Sequence, residues 1–412
     1  MIAHHPADET PQGRSHNAGM SLPPDPSLPT PLLGGLSPQQ FMRRHWQKRP
    51  LLIRQALPGV TPPLDRAALF ALAARDGVES RLIRRQGAAW RLKHGPFARQ
   101  ALPPLKQAGW TLLLQGLDLH VPAAHALLSR FRFVPQARLD DLMISYATDG
   151  GGVGPHLDSY DVFLLQVHGR RRWRIGRAPD ATLVPGVPLK ILARFEPEDE
   201  WVLEPGDMLY LPPRWAHDGV AEGECMTCSV GFRAASREEF GREVLQHTLD
   251  ALAEADGLDG APPTHSQAAL YRDPGQAATA TPGRIPPAMQ AFAADAVARL
   301  VGDPQGLACS LGEWLSEPKP QVWFDEGAPL VAGRGVRLDA RSRMLWDDWH
   351  VFLNGESFRA GGRDARLMRR LADDRCLDAG DLSRVGPQAR ALLEEWAAAG
   401  WLHADLESDT ME

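Results

Sequence analysis

The chain is poor in cysteine: Cys225, Cys228, Cys309 and Cys376 are the only four among 412 residues. That is too few for a disulfide framework in a chain this long, and it fits a reducing cytoplasm. Long apolar runs are also missing, so nothing approaches the roughly 20 residues of a membrane span. The N-terminal stretch "MIAHHPADETPQGRSHNAGMSLPPDPSLPTPLLGG" lacks the apolar core of a signal peptide. Neither charge sign dominates. Lys and Arg total 45 against 51 Asp and Glu, a net charge of -6, which argues against nonspecific nucleic-acid binding by the whole molecule. No tandem repeat is visible. What remains is an ordinary globular composition, 43% hydrophobic and 23% charged, with length for about two or three domains.

The stretch up to residue 33 is rich in Pro, His and small polar residues and is expected to be disordered, with Met20 a candidate start. Order is expected from "SPQQFMRRHWQKRPLLIRQ", where Ser37 can cap a helix and "PLLIRQ" reads as a short buried strand. "DRAALFALAARDG" reads as an amphipathic helix with a glycine stop, "GWTLLLQGLDLH" as a buried strand and "PAAHALLSRFRFVP" as a helix. From Leu142 to Phe232 short β-runs alternate with Gly and Pro turns. No helical crossover lies between them, which predicts an antiparallel sandwich or barrel. Helices return in "SREEFGREVLQHTLDALAEADG" and "AMQAFAADAVARLVG", with a loop between. A small α+β unit resembling a winged helix then closes the chain, with a hairpin expected at Asn354-Gly355.

The chemistry concentrates in "GGGVGPHLDSYDVFLLQVHGRRRW". An extended strand projects residues i and i+2 from one face, so His156 and Asp158 can present an imidazole and a carboxylate side by side. Two such groups are two-thirds of the facial triad of a non-haem Fe(II) oxygenase, which needs one more histidine and leaves three positions open. "EPGDMLYLPPRWAHDGV" supplies it: a turn, a buried strand, a Pro-Pro stop and then His217, bracketed by Gly and Pro punctuation. The arginine run adds a third feature. In an extended strand Arg170 and Arg172 share one face while Arg171 takes the other with Trp173, which marks Arg171 as the buried cation. A guanidinium forks onto a carboxylate and stays charged when buried, as the anchor of a 2-oxoglutarate cosubstrate requires.

With "DDLMISYATDGGGVGPHLDSYDVFLLQVHGRRRWRIG", "PGDMLYLPPRWAHDG" and "SVGFR" together, the chain resembles the JmjC-type 2-oxoglutarate oxygenases. It is most similar to the bacterial ribosomal oxygenases, arginine hydroxylases acting on large-subunit ribosomal protein L-sixteen. The similarity takes in "FMRRHWQKRPLLIRQA" and the winged-helix-like tail, nearly everything from Ser37 onward. The resemblance implies an α+β fold: a double-stranded β-helix (cupin) core over 34–232, a helical dimerisation region over 233–302 and a winged-helix-like domain over 303–412. It implies Fe(II) on His156, Asp158 and His217, 2-oxoglutarate on Arg171, O₂ as co-reactant, a ribosomal-protein substrate and a homodimer. The glycines before His156 are expected to bring the backbone close to the metal and to open the mouth. For an arginine substrate, Asp149 is the candidate to meet the guanidinium, against an equal reading as a turn residue bonding its own backbone. Tyr160 and Asp161 are expected to line the mouth.

Other signals point to structure. "CMTC", Cys225 to Cys228, has no second CxxC or nearby His pair to complete a zinc site and reads as strand core. His168 is expected to face solvent. Trp346, Trp349, Trp396 and Trp401 are expected to form the core of the C-terminal unit rather than a base-stacking platform. "LMRRLADDRCLDAGDLSR" mixes both charge signs, so specific nucleic-acid binding is not expected of that unit. Two rival functions remain. One keeps the chemistry on a histidine of another ribosomal protein or on N-methyl-lysine; the other makes the chain a metal-holding cupin that only binds, which leaves the arginine anchor without a use.

Overall fold

The computed structural model describes residues 24–87, 89–257, 271–274, 283–359 and 361–405. Most of the expected N-terminal tail, including Met20, and most of the loop before the second late helix therefore lie outside the described residues. One boundary needs correction. Pro31–Leu33 form a 3₁₀ turn with Leu32 and Leu33 buried, because those two leucines join the main core. Order thus begins before residue 34.

Local chemistry sets the first elements. Helix α1 (Pro38–Arg44) starts at a capping box, in which the Ser37 hydroxyl accepts from the Gln40 N–H and the Gln40 side chain accepts from the Ser37 N–H. Helix α2 (Arg66–Leu72) is capped by Asp65, whose carboxylate accepts from the Ala68 N–H at 2.8 Å. Helix α3 (Pro122–Ser129) begins with proline in its first turn.

Nine strands make one sheet: β1 (Leu51–Ile53), β2 (Ser80–Gln86), β3 (Ala89–His94), β4 (Trp110–Leu114), β5 (Leu139–Ala147), β6 (Val162–Arg177), β7 (Asp199–Leu203), β8 (Met208–Leu211) and β9 (Trp215–Phe232). Their order is β1-β8-β6-β9-β5-β4-β2-β3, with β7 also on β6, and every pairing is antiparallel. The long β6–β9 ladder breaks register at Gln166–His168 and again at His168–Arg170. Bulges of this kind bend a sheet and re-aim its side chains. Before the break β6 pairs with β8, and after it with β7.

Both faces of β6 are apolar. Phe163, Leu165 and Val167 join the large core under the helices, while Val162, Leu164, Trp173 and Ile175 join a second core with Leu203, Leu209 and Leu211. Cys225 and Cys228 are buried, free and on β9, as strand core. His168 is exposed at the bend.

Helices α4 (Arg237–Gly257), α5 (Pro287–Leu300) and α6 (Pro304–Ser316) follow. The final unit combines β10 (Val336–Leu338), β11 (Met344–Trp346), β12 (His350–Leu353), β13 (Glu356–Arg359), α7 (Gly362–Asp374), β14 (Cys376–Leu377), α8 (Ala379–Ser383), α9 (Pro387–Ala398) and β15 (Leu402–Ala404). The expected hairpin is there: Leu353 pairs with Glu356 around Asn354 and Gly355, both at positive φ. The expected tryptophan core is only half there. Trp396 is buried and Trp401 packs on the core, but Trp346 and Trp349 are exposed. Trp346 ends edge strand β11, and Trp349 sits in the turn between β11 and β12.

This unit is tied to the large sheet by ions. Lys319 Nζ lies 3.1 Å from Asp140 and 3.3 Å from Asp141 at the start of β5, and Arg132 after α3 donates to the Ala372 carbonyl. Buried Asp118 stands behind them, accepting from the Leu142 N–H at 2.8 Å. Its own burial first, and then the neighbouring Asp141, push its carboxyl up to about 7. An unfolded aspartate titrates near 3.9. Between about pH 4 and 7 the folded state therefore holds a proton that the unfolded chain has lost, so this group's share of stability falls as pH rises through that window. Asp118→Asn keeps an acceptor for Leu142 and removes the titration. Its Tm should match wild type near pH 4 and exceed it near pH 8, where about 1 kcal/mol moves Tm by about 2–4 °C. A wild-type Tm at both pH values would contradict the assignment.

Candidate metal and cosubstrate site

His156 and Asp158 do not sit on a regular strand, contrary to the sequence expectation. They lie in a loop that runs antiparallel along β9 and bridges to it. The His156 and His217 backbones exchange both N–H to O=C bonds at 3.0 Å, and further back the Gly150 N–H donates to the Ala221 carbonyl while the Ala221 N–H donates to that of Gly151, each at 2.9 Å. The loop turns away when Arg214 N–H bonds to the Asp158 carbonyl at 2.9 Å. Two of the glycines have a packing use. A Cβ on Gly151 would lie 2.5 Å from the Trp110 carbonyl oxygen, and one on Gly152 would lie 2.5 Å from that of Gly219. They let the loop lie flat on its neighbours' backbones, and in that way they fix where His156 arrives.

The three side chains converge. One ligand atom from each of His156, Asp158 and His217 lies within 4.8 Å of the others, a set that could hold a metal ion. His156 Nε2 is 3.9 Å from one Asp158 oxygen and His217 Nε2 is 3.6 Å from the other. Each imidazole is oriented through its second nitrogen. His156 Nδ1 donates to the Gly154 carbonyl at 2.8 Å, and His217 Nδ1 donates to the Trp215 carbonyl at 3.0 Å. A carbonyl only accepts, so the proton sits on Nδ1 and the Nε2 lone pair is presented. Burial, reinforced by neighbouring His156, holds the His217 pKa down to about 4, so the ring is neutral near pH 7. Two imidazoles and a carboxylate suit a divalent first-row metal such as Fe(II).

Arg171 is buried at 5% exposure, as strand alternation indicated. Its Nη1 donates to the Ser145 hydroxyl at 3.0 Å, while Nε and Nη2 are buried with no partner among the described residues. A buried guanidinium with two idle N–H donors is costly unless an acceptor arrives. A carboxylate is the acceptor whose two oxygens match that fork. Ser145, which holds the third donor, carries no signal in the sequence. Nothing marks it until β5 is placed beside β9.

The expected substrate residues separate. Tyr160 is exposed two residues after Asp158, and partial burial of its hydroxyl first, then the Asp158 charge, raise its phenol pKa. Asp161 is not at the mouth. It is fully buried, accepts from Tyr210 Oη at 2.6 Å and Gln47 Nε2 at 3.1 Å, and faces Arg138 at 3.6 Å. It lies just before β6, where its carboxylate is turned to those inward partners while the preceding Tyr160 stays exposed. Asp149 is exposed, with Oδ1 accepting from the Gly223 N–H at 2.8 Å across the turn. A cleft of about 500 Å³ does open near Arg75, His120, Lys319 and Trp323, but none of the triad lines it.

Comparison with known proteins places these features. Residues 126–240 match a family model described as a JmjC domain, and residues 299–403 match one described as a ROXA-like winged helix. The chain is 35% identical to the Escherichia coli ribosomal protein uL16 3-hydroxylase over 79% of its own length and 86% of that protein's. It is 38% identical to a probable ribosomal oxygenase of Haemophilus influenzae over 48% of its length and 50% of the relative's. The crystal structure of E. coli YcfD, a ribosomal oxygenase, in complex with cobalt and 2-oxoglutarate superposes with a TM-score of 0.73 at 30% identity. That match covers 90% of this chain and 98% of YcfD.

The donor set sets an expectation for metal binding. Losing an orienting partner typically costs 10–100-fold in metal affinity, and losing a ligand should cost more. Asp158→Ala should therefore weaken Mn(II) binding, read by titration, by at least about 100-fold with the fold intact by circular dichroism. Wild-type affinity in that variant would show that the metal sits elsewhere.

Proposed function

This chain belongs to the JmjC ribosomal oxygenases, and on that premise we propose that it hydroxylates an arginine of large-subunit ribosomal protein L-sixteen. The observation that carries the chemistry is the pairing of a two-His, one-Asp cluster with a buried arginine whose spare donors await a carboxylate. His156, Asp158 and His217 would hold Fe(II) from one side and leave the opposite positions open. Arg171 would take the distal carboxylate of 2-oxoglutarate, with Ser145 fixing the guanidinium. Bound iron, 2-oxoglutarate and O₂ supply the oxidation, in which the cosubstrate becomes succinate and CO₂ and one oxygen atom enters a substrate C–H bond. The chain's part is position and dryness. Val162, Ile175, Leu203, Leu209 and Leu211 form an apolar wall on the face that carries Trp173, which keeps water from the reacting atoms. A module that only bound metal would have no use for the unpaired donors of Arg171. Peptide-dependent release of succinate under air tests this reading; bound iron with no succinate would overturn it.

Substrate recognition falls to the mouth. Tyr160 beside Asp158 would pack against the incoming chain. Asp149, whose carboxylate is exposed beyond its bond to Gly223, would meet the guanidinium. Asp149→Asn keeps the acceptor for Gly223 and removes the charge. It should cut peptide hydroxylation about tenfold or more, while the slow peptide-independent turnover of 2-oxoglutarate stays near wild type. Equal loss of both would return Asp149 to a turn role.

Helices α4 and α5 expose Leu245, Leu249, Met289, Val297 and Leu300, while Phe240 of α4 packs on Trp314 of α6 at 5.2 Å between ring centroids. A second copy of this chain covering those residues would make the homodimer expected from the sequence. Leu249→Glu should then convert a dimer into monomer by analytical ultracentrifugation; an unchanged sedimentation coefficient would place the interface elsewhere. No helix among the described residues is long and apolar enough to cross a membrane. A ribosomal substrate would put the protein in the cytoplasm, which fractionation checks.

A further inference from the structure

Three rungs of the β6–β9 ladder line the site: Ile175 opposite His217, Trp173 opposite Gly219, and Arg171 opposite Ala221. Trp173 therefore stands between the metal ligand and the cosubstrate anchor. Its ring centroid lies 5.9 Å from that of His217, and Arg171 Cζ lies 5.7 Å from its ring. The residue is 5% exposed, and its indole Nε1 is buried with no partner among the described residues. With Arg171 Nε and Nη2, that makes three buried donor nitrogens on alternate rungs of one face with no acceptor among the described residues.

The orientation of the indole is set by a glycine. A Cβ on Gly219 would lie 2.6 Å from Trp173 Cη2 and Cζ3 and 2.9 Å from Cε3. The benzo edge therefore rests on the β9 backbone, and the opposite edge, which carries Nε1, is turned away from it. An aromatic ring needed only for packing could be phenylalanine, which would bury no N–H. A buried indole usually finds an acceptor for its N–H. We infer that Trp173 Nε1 donates a hydrogen bond to an oxygen of bound 2-oxoglutarate, which makes it a second cosubstrate-binding donor beside Arg171. The assignment rests on the 2-oxoglutarate reading above. It also gives Gly219 a role, as the seat that aims the N–H.

Trp173→Phe removes the N–H and keeps the ring. In Mn(II)-loaded protein without O₂, calorimetric titration should show the 2-oxoglutarate Kd rising about tenfold, about 1.4 kcal/mol. Mn(II) affinity and Tm should stay at wild-type values. Gly219→Ala, which keeps the indole but displaces it, should weaken 2-oxoglutarate in the same direction. An unchanged Kd in a folded Trp173→Phe variant overturns the inference and leaves the oxygenase reading intact. Should that variant not fold, wild-type crystals with Mn(II) and 2-oxoglutarate decide. A distance from Nε1 to a cosubstrate oxygen within about 3.2 Å supports the bond, and one beyond about 4 Å overturns it. Wild-type protein that takes Mn(II) but not 2-oxoglutarate would overturn both readings together.

Discussion

The antiparallel pairing of β6 with β9 is the constraint on which the rest depends. Its register sets His217 opposite Ile175, Gly219 opposite Trp173 and Ala221 opposite Arg171, so ligand, spacer and anchor occupy alternate rungs and share one face. The same strand receives the loop that brings His156, through the His156–His217 backbone pair. A shift of one residue would turn every side chain of the ladder to the other face. The two apolar cores on the faces of β6 make that slip expensive, since both Phe163–Val167 and Val162–Ile175 sets would lose burial. Site geometry and core packing are thus one constraint.

Around that ladder, polar groups divide into satisfied and idle. His156 and His217 spend Nδ1 on backbone carbonyls, and Asp161 is fully engaged by Tyr210, Gln47 and Arg138. Arg171 spends one nitrogen on Ser145 and keeps two, and Trp173 keeps its only one. Buried networks that are fully paired hold a fold, whereas buried donors left unpaired destabilise it until a ligand pairs them. The contrast between Asp161 and Arg171 separates structure from function, although both are charged, buried and close in sequence.

Much of this was legible in the sequence, because local rules govern the parts that were read correctly. Two-residue alternation put Arg171 and Trp173 on the buried face, Gly and Pro punctuation marked His217, and Ser37 and Asn354-Gly355 announced a cap and a turn. The rest depends on what lies across space. The expectation of a strand at His156 failed because the loop meets β9 there in an isolated bridge rather than a ladder, and it packs through glycines whose neighbours no local pattern reveals. Asp161 was misplaced because its partners come from α1's C-terminal flank, β8 and the segment before β5. Trp346 and Trp349 were assigned to the core on residue type alone, but an edge strand and its turn leave them exposed. Ser145 and Gly219 gain meaning only once β5, β6 and β9 lie side by side.

The most direct test of the central claim is tandem mass spectrometry of an arginine-containing loop peptide of ribosomal protein L-sixteen. The peptide would be incubated under air with the protein, Fe(II) and 2-oxoglutarate, with His156→Ala as control. One added oxygen on the arginine, present with wild type and missing with His156→Ala, is the predicted result. An unmodified peptide from a protein shown to bind both iron and 2-oxoglutarate would contradict the assigned substrate, and oxygen on a residue other than arginine would contradict the assigned target.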